Sequence, residues 1–286
     1  MTITETITSP ANPRLRQAAR LRDPRGRRET GLTLVDGLRE LTRAVAAGIE
    51  IREVFVALPD EGDSAAPRGL SPDVAECIAA CATRGAEVIG LSPRAFGRIA
   101  FGDRNEGVVG VVRFASRRLA EVSLPVVRPV LVAEGVEKPG NLGAMLRTVD
   151  AAGLAGLIAC DPRTDPANPA TIRASVGTVF SVPLAVASAA EVIHWCRAGR
   201  RRVIVATPEA KQDWFTADLR GAAVLVVGSE AEGVTGTWAR AAAAGEITME
   251  MVRLPMLGLA DSLNVSATAA VLAYESVRQE ACRAHG

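Results

Sequence analysis

Short apolar runs alternate along the chain with segments whose apolar residues recur every three or four positions. The run Ile51–Ala57 is rich in β-branched residues and predicts a strand, whereas Pro72–Thr83 carries a helical repeat. The alternation resumes after a charged, proline-containing segment at 116–128. In this second part the strand-like runs are continuously apolar, which is typical of a parallel sheet buried on both faces. The pattern predicts a smaller α/β domain at 1–115, a linker at 116–128 and a larger α/β domain at 129–286.

The individual elements follow from these runs and from the residues that interrupt them. In the first domain we predict strands at 32–35, 51–57, 86–89 and 108–114, and helices at 14–22, from Leu38 to Gly48, at 72–83 and after Ser92. In the second domain we predict strands at 130–133, 156–159, 203–206, 223–227 and 247–252, with helices between them. A final helix at 264–282 is apolar on almost every face, so we expect it to be buried in the core or in a subunit interface.

The composition excludes several classes of protein. The formal net charge is only +1, which argues against a uniformly basic nucleic-acid binder. No apolar run approaches the roughly 20 residues that span a membrane, and the polar start of the chain has no secretory stretch, so we expect a cytoplasmic protein without a membrane partner. The five cysteines form no CxxC pair and no zinc set, and we expect no metal. Cys77 and Cys81, one helical turn apart, are either packing residues or a metal or redox pair.

Positive charge is concentrated near the start of the chain. Seven arginines crowd one short segment, opposed by Asp23 alone until Glu29: Arg14, Arg16, Arg20, Arg22, Arg25, Arg27 and Arg28. A guanidinium group binds phosphate through two parallel hydrogen bonds. The segment is therefore either a solvated basic face or a surface that contacts the RNA backbone, and the motifs described next favour RNA.

Three strings in the second domain place glycines and polar side chains at the ends of apolar runs. They are NLGAMLRT at 141–148, VGSEAEG at 227–233 and SLNVS at 262–266. The second string follows the strongest strand, and ligands of open α/β sheets bind at the carboxyl ends of the strands. The order and spacing of the strings resemble the signature motifs of the SpoU/TrmH family of RNA ribose 2′-O-methyltransferases, over residues 129–283.

The resemblance implies a fold, a cofactor and an assembly. The expected fold is a SPOUT-type parallel sheet with a deep trefoil knot, preceded by an L30e-like RNA-binding domain at 1–115. The expected cofactor is S-adenosyl-L-methionine, and family members act as homodimers. The implied cofactor-binding residues are Thr207, Gly228, Leu254, Met256 and Leu263, and the implied catalytic residues are Asn141, Arg147, Glu230, Ser262 and Asn264.

Several of these residues also have structural interpretations. Asn141 lies where a helix N-cap is expected, and Ser262 and Asn264 precede the last helix, where they would be ordinary caps. Arg147 is expected to be half-buried among apolar neighbours and so to need an anionic partner. That partner is either an RNA phosphate or the carboxylate of a structural salt bridge. Because a guanidinium group is always charged in proteins, we expect Arg147 to orient phosphate and polarise the hydroxyl rather than act as the base.

The substrate is the least determined part of this prediction. A separate domain before the catalytic one is similar to the arrangement in ribosomal RNA enzymes of the family, including actinomycete antibiotic-resistance methyltransferases. We therefore expect ribose methylation of 23S ribosomal RNA, with antibiotic resistance as a consequence to be tested. Two alternatives stay open, a transfer RNA ribose methyltransferase and a catalytically silent RNA-binding protein on the same fold. A nicotinamide oxidoreductase is disfavoured because no GxGxxG string follows the first strand.

Overall fold

The protein divides into two compact units in a computed structural model that describes residues 3–59, 70–101, 106–125, 127–229 and 233–284. The first unit comprises residues 1–115 together with 167–181, and the second comprises 116–166 and 182–286. The segment 167–181 is therefore part of the first unit in its contacts, although it lies within the second predicted domain along the chain. The sequence did not indicate this assignment.

The described strands and helices account for most of both units. The strands are β1 Glu5–Ile7, β2 Leu32–Asp36, β3 Ile51–Ala57, β4 Glu87–Leu91, β5 Val108–Arg113, β6 Val130–Glu134, β7 Gly156–Cys160, β8 Leu184–Ala187, β9 Arg202–Ala206, β10 Gln212–Asp213, β11 Val224–Val227 and β12 Thr248–Arg253. The helices are α1 Pro13–Arg20, α2 Pro24–Thr30, α3 Leu38–Ala46, α4 Pro72–Thr83, α5 Pro93–Phe96, α6 Pro139–Ala152, α7 Pro169–Ala174, α8 Ala189–Ala198, α9 Gly236–Ala243 and α10 Val265–Ala284.

The first unit is built on a mixed five-stranded sheet in the order β1-β4-β3-β5-β2. The central strand β3 pairs in parallel with β4 and antiparallel with β5. Leu15, Leu34 and Phe55 are buried in its core. The edge strand β1 was not predicted, because Glu5 and Thr6 are polar and only pairing with β4 makes this segment a strand. The unit thus has an α/β sheet like the predicted one, with one additional edge.

The second unit contains a seven-stranded sheet in the order β10-β12-β9-β11-β6-β7-β8, and every described pairing in it is parallel. The central strands β6, β7 and β11 are buried at every position, which confirms the prediction of a parallel sheet covered on both faces. The carboxyl ends of β9, β11 and β12 therefore meet along one edge. Part of the predicted linker belongs to this unit, because Leu124 is buried in its core.

The last helix is partly buried. In α10 the residues Val265, Ala269, Leu272 and Ala273 are buried, but Tyr274 is 52% exposed. The helix packs against α6 and β11, so the core covers one side of it. Burial of the other side in a subunit interface, the alternative that the sequence left open, stays a prediction. No described helix is both long enough and apolar enough to cross a lipid bilayer.

Candidate active site

A cavity of about 490 Å³ lies at the carboxyl ends of β9, β11 and β12. Its wall begins where each strand ends, at Ala206, Val227 and Leu254. Binding sites of open parallel sheets form at this edge because the loops that leave the strands diverge there. We refer to this space as the carboxyl-end cavity.

All five residues predicted to bind the cofactor line the carboxyl-end cavity: Thr207, Gly228, Leu254, Met256 and Leu263. Ser262, one of the predicted catalytic residues, lines it as well. The structure therefore brings the second and third sequence strings together around one space. Their roles in cofactor binding and catalysis stay predictions from the family resemblance.

Gly228 is needed for a reason that the sequence did not show. A Cβ atom at this position would lie 2.1 Å from the carbonyl carbon of Gly233 and 2.4 Å from the amide nitrogen of Val234. Ser229 and Gly233 are paired by two backbone hydrogen bonds of 3.1 and 3.0 Å, which hold Gly233 beside the end of β11. A glycine at this position therefore lets the backbone at 233–234 approach the end of β11 closely.

Asn141 and Asn264 join the first and third strings. The Nδ2 of Asn264 donates a hydrogen bond of 3.2 Å to Oδ1 of Asn141. The Oδ1 of Asn264 accepts from the backbone nitrogen of Ser266 at 3.0 Å and so caps the start of α10. The sequence placed Asn141 at the N-cap position of α6, and this was wrong. The helix begins at Pro139, and its N-cap is Lys138. Proline at the first helical position explains this earlier start.

Arg147 lies on α6 and its side chain is exposed, so the expectation of half-burial was wrong. Its apolar neighbours Leu146 and Val149 turn into the core, while Arg147 occupies the opposite face of the helix. It makes no hydrogen bond or ion pair with any residue that the structure describes, which removes the structural salt bridge as an explanation within this part of the chain. It is not among the residues that line the carboxyl-end cavity. Glu230, the remaining catalytic prediction, lies outside the described residues.

Two carboxylates that line the carboxyl-end cavity were not predicted as site residues. They belong to Glu209 and Asp261, and none of the described lining residues is a lysine, arginine or histidine. The Thr207 hydroxyl donates to the Glu209 carboxylate and holds the pKa of Glu209 below its usual range. A cavity with this lining favours a ligand that combines an apolar part with a positive charge. Glu209 could have been suspected from its place directly after a predicted strand.

Glu134 supports the cavity wall from inside the unit. This residue ends β6 and is 2% exposed. Its carboxylate accepts hydrogen bonds from the backbone nitrogen and the hydroxyl of Thr235, at 3.0 and 2.8 Å, and from the Nε1 of Trp238 at 3.1 Å. Because Thr235 is the N-cap of α9, Glu134 satisfies donors at the start of that helix and fixes the end of the 229–235 loop.

Three possible metal-ligating atoms lie within 4.8 Å of one another at the end of the sheet. They belong to Glu134, Cys160 and Asp161. The two carboxylates already accept hydrogen bonds, since Asp161 receives the backbone nitrogen of Ala189 at 2.9 Å. Burial raises the pKa of the Cys160 thiol well above its usual range, so it remains protonated and a poor ligand. Hydrogen bonding at the end of the sheet accounts for this cluster.

The seven arginines predicted to bind RNA separate into two groups in the first unit. The guanidinium of Arg14 pairs with Glu5, Glu53 and Glu87, and Arg27 is 3% exposed and donates to the carbonyls of Leu21 and Arg22. Arg27 is therefore a buried structural residue, and assigning it to an RNA surface was wrong. The guanidinium of Arg14 is held by three carboxylates, and an RNA contact of Arg14 stays a prediction. The other five are exposed: Arg16, Arg20, Arg22, Arg25 and Arg28.

Four of the exposed arginines line one open groove of about 920 Å³ together with Arg98: Arg16, Arg20, Arg22 and Arg25. We call this set of five residues the arginine groove. Arg98 follows α5, about seventy positions later in the chain, and no sequence signal connected it to the others. The groove also contains Asp23, and Glu29 pairs with both Arg20 and Arg25. The groove therefore keeps a net positive charge.

Comparisons with known proteins cover both units. Residues 128–274 match the SpoU rRNA Methylase family, and residues 12–110 match the MRM3-like substrate binding domain. A 23S rRNA (adenosine(1067)-2′-O)-methyltransferase of Streptomyces laurentii is 31% identical over 258 residues, 88% of each chain. A 23S rRNA (uridine(2479)-2′-O)-methyltransferase of Streptomyces viridochromogenes is 31% identical over 283 residues, 96% of this chain and 92% of the other. The crystal structure of the SpoU methyltransferase AviRb from S. viridochromogenes in complex with AdoMet has a TM-score of 0.80 at 27% identity, covering 95% of this chain and 100% of that one.

Proposed function

Since this chain belongs to the SpoU rRNA methylase family, we propose that it transfers a methyl group from S-adenosylmethionine to a ribose 2′-hydroxyl of 23S ribosomal RNA. The observation that carries the proposal is the convergence of the second and third strings on the carboxyl-end cavity, with the Asn264–Asn141 hydrogen bond linking the first string to them. The two Streptomyces relatives, which cover most of this chain, are named for the same reaction on 23S ribosomal RNA.

The lining of the carboxyl-end cavity fits S-adenosylmethionine. Leu254, Met256 and Leu263 offer apolar walls for an adenine ring, and the carboxylates of Glu209 and Asp261 suit a ligand that carries a sulfonium cation. When bound, the cofactor supplies a methyl group that a nucleophilic oxygen can accept. The task of the protein is then to hold that oxygen in line with the methyl group, because positioning lowers the barrier by several kcal/mol.

Arg147 is proposed to hold the RNA at this position. A ribose 2′-hydroxyl is a weak nucleophile at neutral pH, so its proton must be polarised or removed as the new bond forms. The exposed guanidinium of Arg147 has no partner among the described residues and can donate to a phosphate next to the target ribose. Because a guanidinium group stays protonated at neutral pH, Arg147 is an orienting and polarising group rather than a base. Asn141, Ser262 and Asn264 fix the geometry around it, and Glu230 retains its proposed catalytic role.

The arginine groove is proposed to contact the RNA backbone. Arg16 and Arg98 are exposed and make no described side-chain contact, so both can neutralise phosphates. Replacing both by alanine should weaken binding of ribosomal RNA. The slope of the logarithm of the binding constant against the logarithm of the salt concentration should become shallower by about one for each lost phosphate contact. Arg94, exposed on α5 but outside the groove, is the matched control. Equal salt slopes for the R16A/R98A and R94A variants would remove the groove from the RNA surface.

We also propose a homodimer and a knotted second unit. The face of α10 that carries Tyr274 and Val277 is exposed, and Leu257 is 98% exposed in the loop before this helix. A second copy of the chain would cover apolar side chains that water otherwise contacts. Light scattering during gel filtration tests the dimer, and a monomer at micromolar concentration would contradict it. The deep trefoil knot and the L30e relationship remain predictions from the family resemblance.

Methyl transfer can be measured directly. The protein should incorporate label from S-adenosylmethionine labelled in its methyl group into 23S ribosomal RNA, and primer extension should locate one modified ribose. Label in transfer RNA instead would favour the transfer RNA alternative. Failure to bind S-adenosylmethionine by calorimetry would favour a silent RNA-binding protein. If methylation lies at a drug site, expression in a susceptible bacterium should raise resistance to a ribosome-targeting antibiotic.

A further inference from the structure

A second cavity, of about 430 Å³, lies in the first unit between α1, α2 and the sheet. Its floor is apolar and is formed by Ala18, Leu21, Leu32 and Val111. Its volume is in the range of cavities that bind small ligands, which run from about 300 to 1,000 Å³. We call it the sheet cavity, and the function proposed above leaves it unused.

The rim of the sheet cavity carries polar groups with unused hydrogen-bonding capacity. Glu53 lines the cavity, and both contacts from Arg14 reach its Oε1, at 2.8 Å from Nε and 2.7 Å from Nη2. Among the described residues nothing donates to the Oε2 of Glu53, although the side chain is only 24% exposed. A carboxylate oxygen on the rim of a cavity that no protein donor occupies can accept a hydrogen bond from a ligand.

Two arginines on the same rim can contact an aromatic ring or a phosphate. Arg52 has one long contact, 3.8 Å to Glu50, among the described residues. Arg20 lines both the sheet cavity and the arginine groove, and Gly26 is also shared between them. The sheet cavity therefore opens next to the surface where RNA phosphates are proposed to lie.

From this arrangement, which rests on the RNA substrate proposed above, we infer that the sheet cavity binds one unstacked nucleobase that carries an exocyclic amino group. Sequence-specific proteins read single-stranded RNA by stacking bases on aromatic rings or guanidinium planes and by hydrogen-bonding their edges. Here Arg20 and Arg52 supply the guanidinium planes, and Glu53 Oε2 accepts from the amino group. A carboxylate accepts from the N4 amino group of cytosine. Uracil has a carbonyl oxygen in that place, which a carboxylate repels.

Oligocytidylate and oligouridylate of about ten nucleotides test the inference, because they have the same backbone and ring size but differ in this group. Fluorescence anisotropy of the full protein should show about tenfold tighter binding of the cytosine strand, the ratio that one hydrogen bond to a charged acceptor supplies. The E53Q variant can donate to uracil O4, so its ratio should fall close to one. The E76Q variant, at an exposed carboxylate on α4 that does not line the sheet cavity, should keep the parent ratio.

The comparison within the parent protein requires no variant, so it remains decisive even where E53Q does not fold. A parent ratio within about twofold of one, or a ratio that E53Q leaves unchanged, would overturn the inference. Methylation of ribosomal RNA by the same preparation distinguishes this failure from a failure of the proposed function. A protein that methylates 23S ribosomal RNA but binds both strands equally has the proposed activity without this base-reading cavity.

Discussion

Replacing Gly228 by alanine tests whether the backbone at 233–234, which packs against the end of β11, shapes the cofactor site. The added methyl group would lie 2.1 Å from the carbonyl carbon and 2.2 Å from the carbonyl oxygen of Gly233, whereas ordinary contact begins at 3.4 Å. The backbone at 233–234 would therefore have to retreat by about 1 Å or more, since neither partner is a flexible side chain. Overpacking of this kind costs about 1–3 kcal/mol.

The strain should appear in two measurements on the G228A variant. Urea unfolding should show a free energy of unfolding lower by about 1–3 kcal/mol. Calorimetry should show S-adenosylmethionine binding at least about tenfold more weakly, because a displacement of the loop moves the wall of the carboxyl-end cavity by a similar distance. The control is G258A. Gly258 lies between the lining residues Met256 and Asp261, and an added Cβ at this position has nothing within 4 Å.

Equal urea midpoints and equal cofactor affinities for G228A and G258A would refute the expected strain. That result would mean that the loop yields without strain. Gly228 would then have no steric role at this edge of the sheet. A loss of stability with unchanged cofactor affinity would refute only the link between the loop and the cavity wall.

Three further changes test separate parts of the structure. R147A should lower methyl transfer at least about 100-fold while S-adenosylmethionine affinity and urea stability stay close to the parent, and near-parental turnover would exclude the proposed role. E134A leaves three donors at Thr235 and Trp238 without an acceptor, so urea unfolding should show a loss of about 3–6 kcal/mol, with a smaller loss for E134Q. Burial raises the pKa of Glu40, so its ionised form opposes folding above the usual glutamate pKa. E40Q should therefore raise the melting temperature at pH 7 but give no gain below the usual pKa, and an equal gain at both pH values would contradict this sign.

The sequence predicted an α/β fold in which a substrate-binding domain precedes a methyltransferase domain with a parallel sheet. The structure and the family matches confirm this prediction. The strand Ile51–Ala57 and the helix Pro72–Thr83 match at both ends. Periodicity and a helix-starting proline define such segments locally. The strand Glu5–Ile7 was missed because its polar residues give no local strand pattern. It is a strand through its pairing with β4, which lies more than eighty positions later.

The arginines show what local sequence could not reveal. Arg14 and Arg16 are two positions apart and chemically identical, yet Arg14 pairs with three carboxylates while Arg16 faces the groove. The difference arises because successive positions on a helix face different directions and the partners of Arg14 come from β1, β3 and β4. Arg98 completes the groove only through tertiary folding. The density of arginines in the sequence thus indicated the region of the arginine groove. Which arginines line the groove depends on the tertiary fold.

The site itself shows why structural and chemical interpretations of a motif residue need not exclude each other. The sequence left open whether Asn264 caps the last helix or points toward a binding site. In the structure its Oδ1 caps α10 through Ser266, and its Nδ2 donates to Asn141 on α6. An amide can do both at once through separate atoms, because it has an acceptor at one atom and donors at the other. A serine or an aspartate at this position could cap the helix equally well, but ionised aspartate could not donate to Asn141. The choice of asparagine is therefore explained by the two helices together rather than by the cap alone.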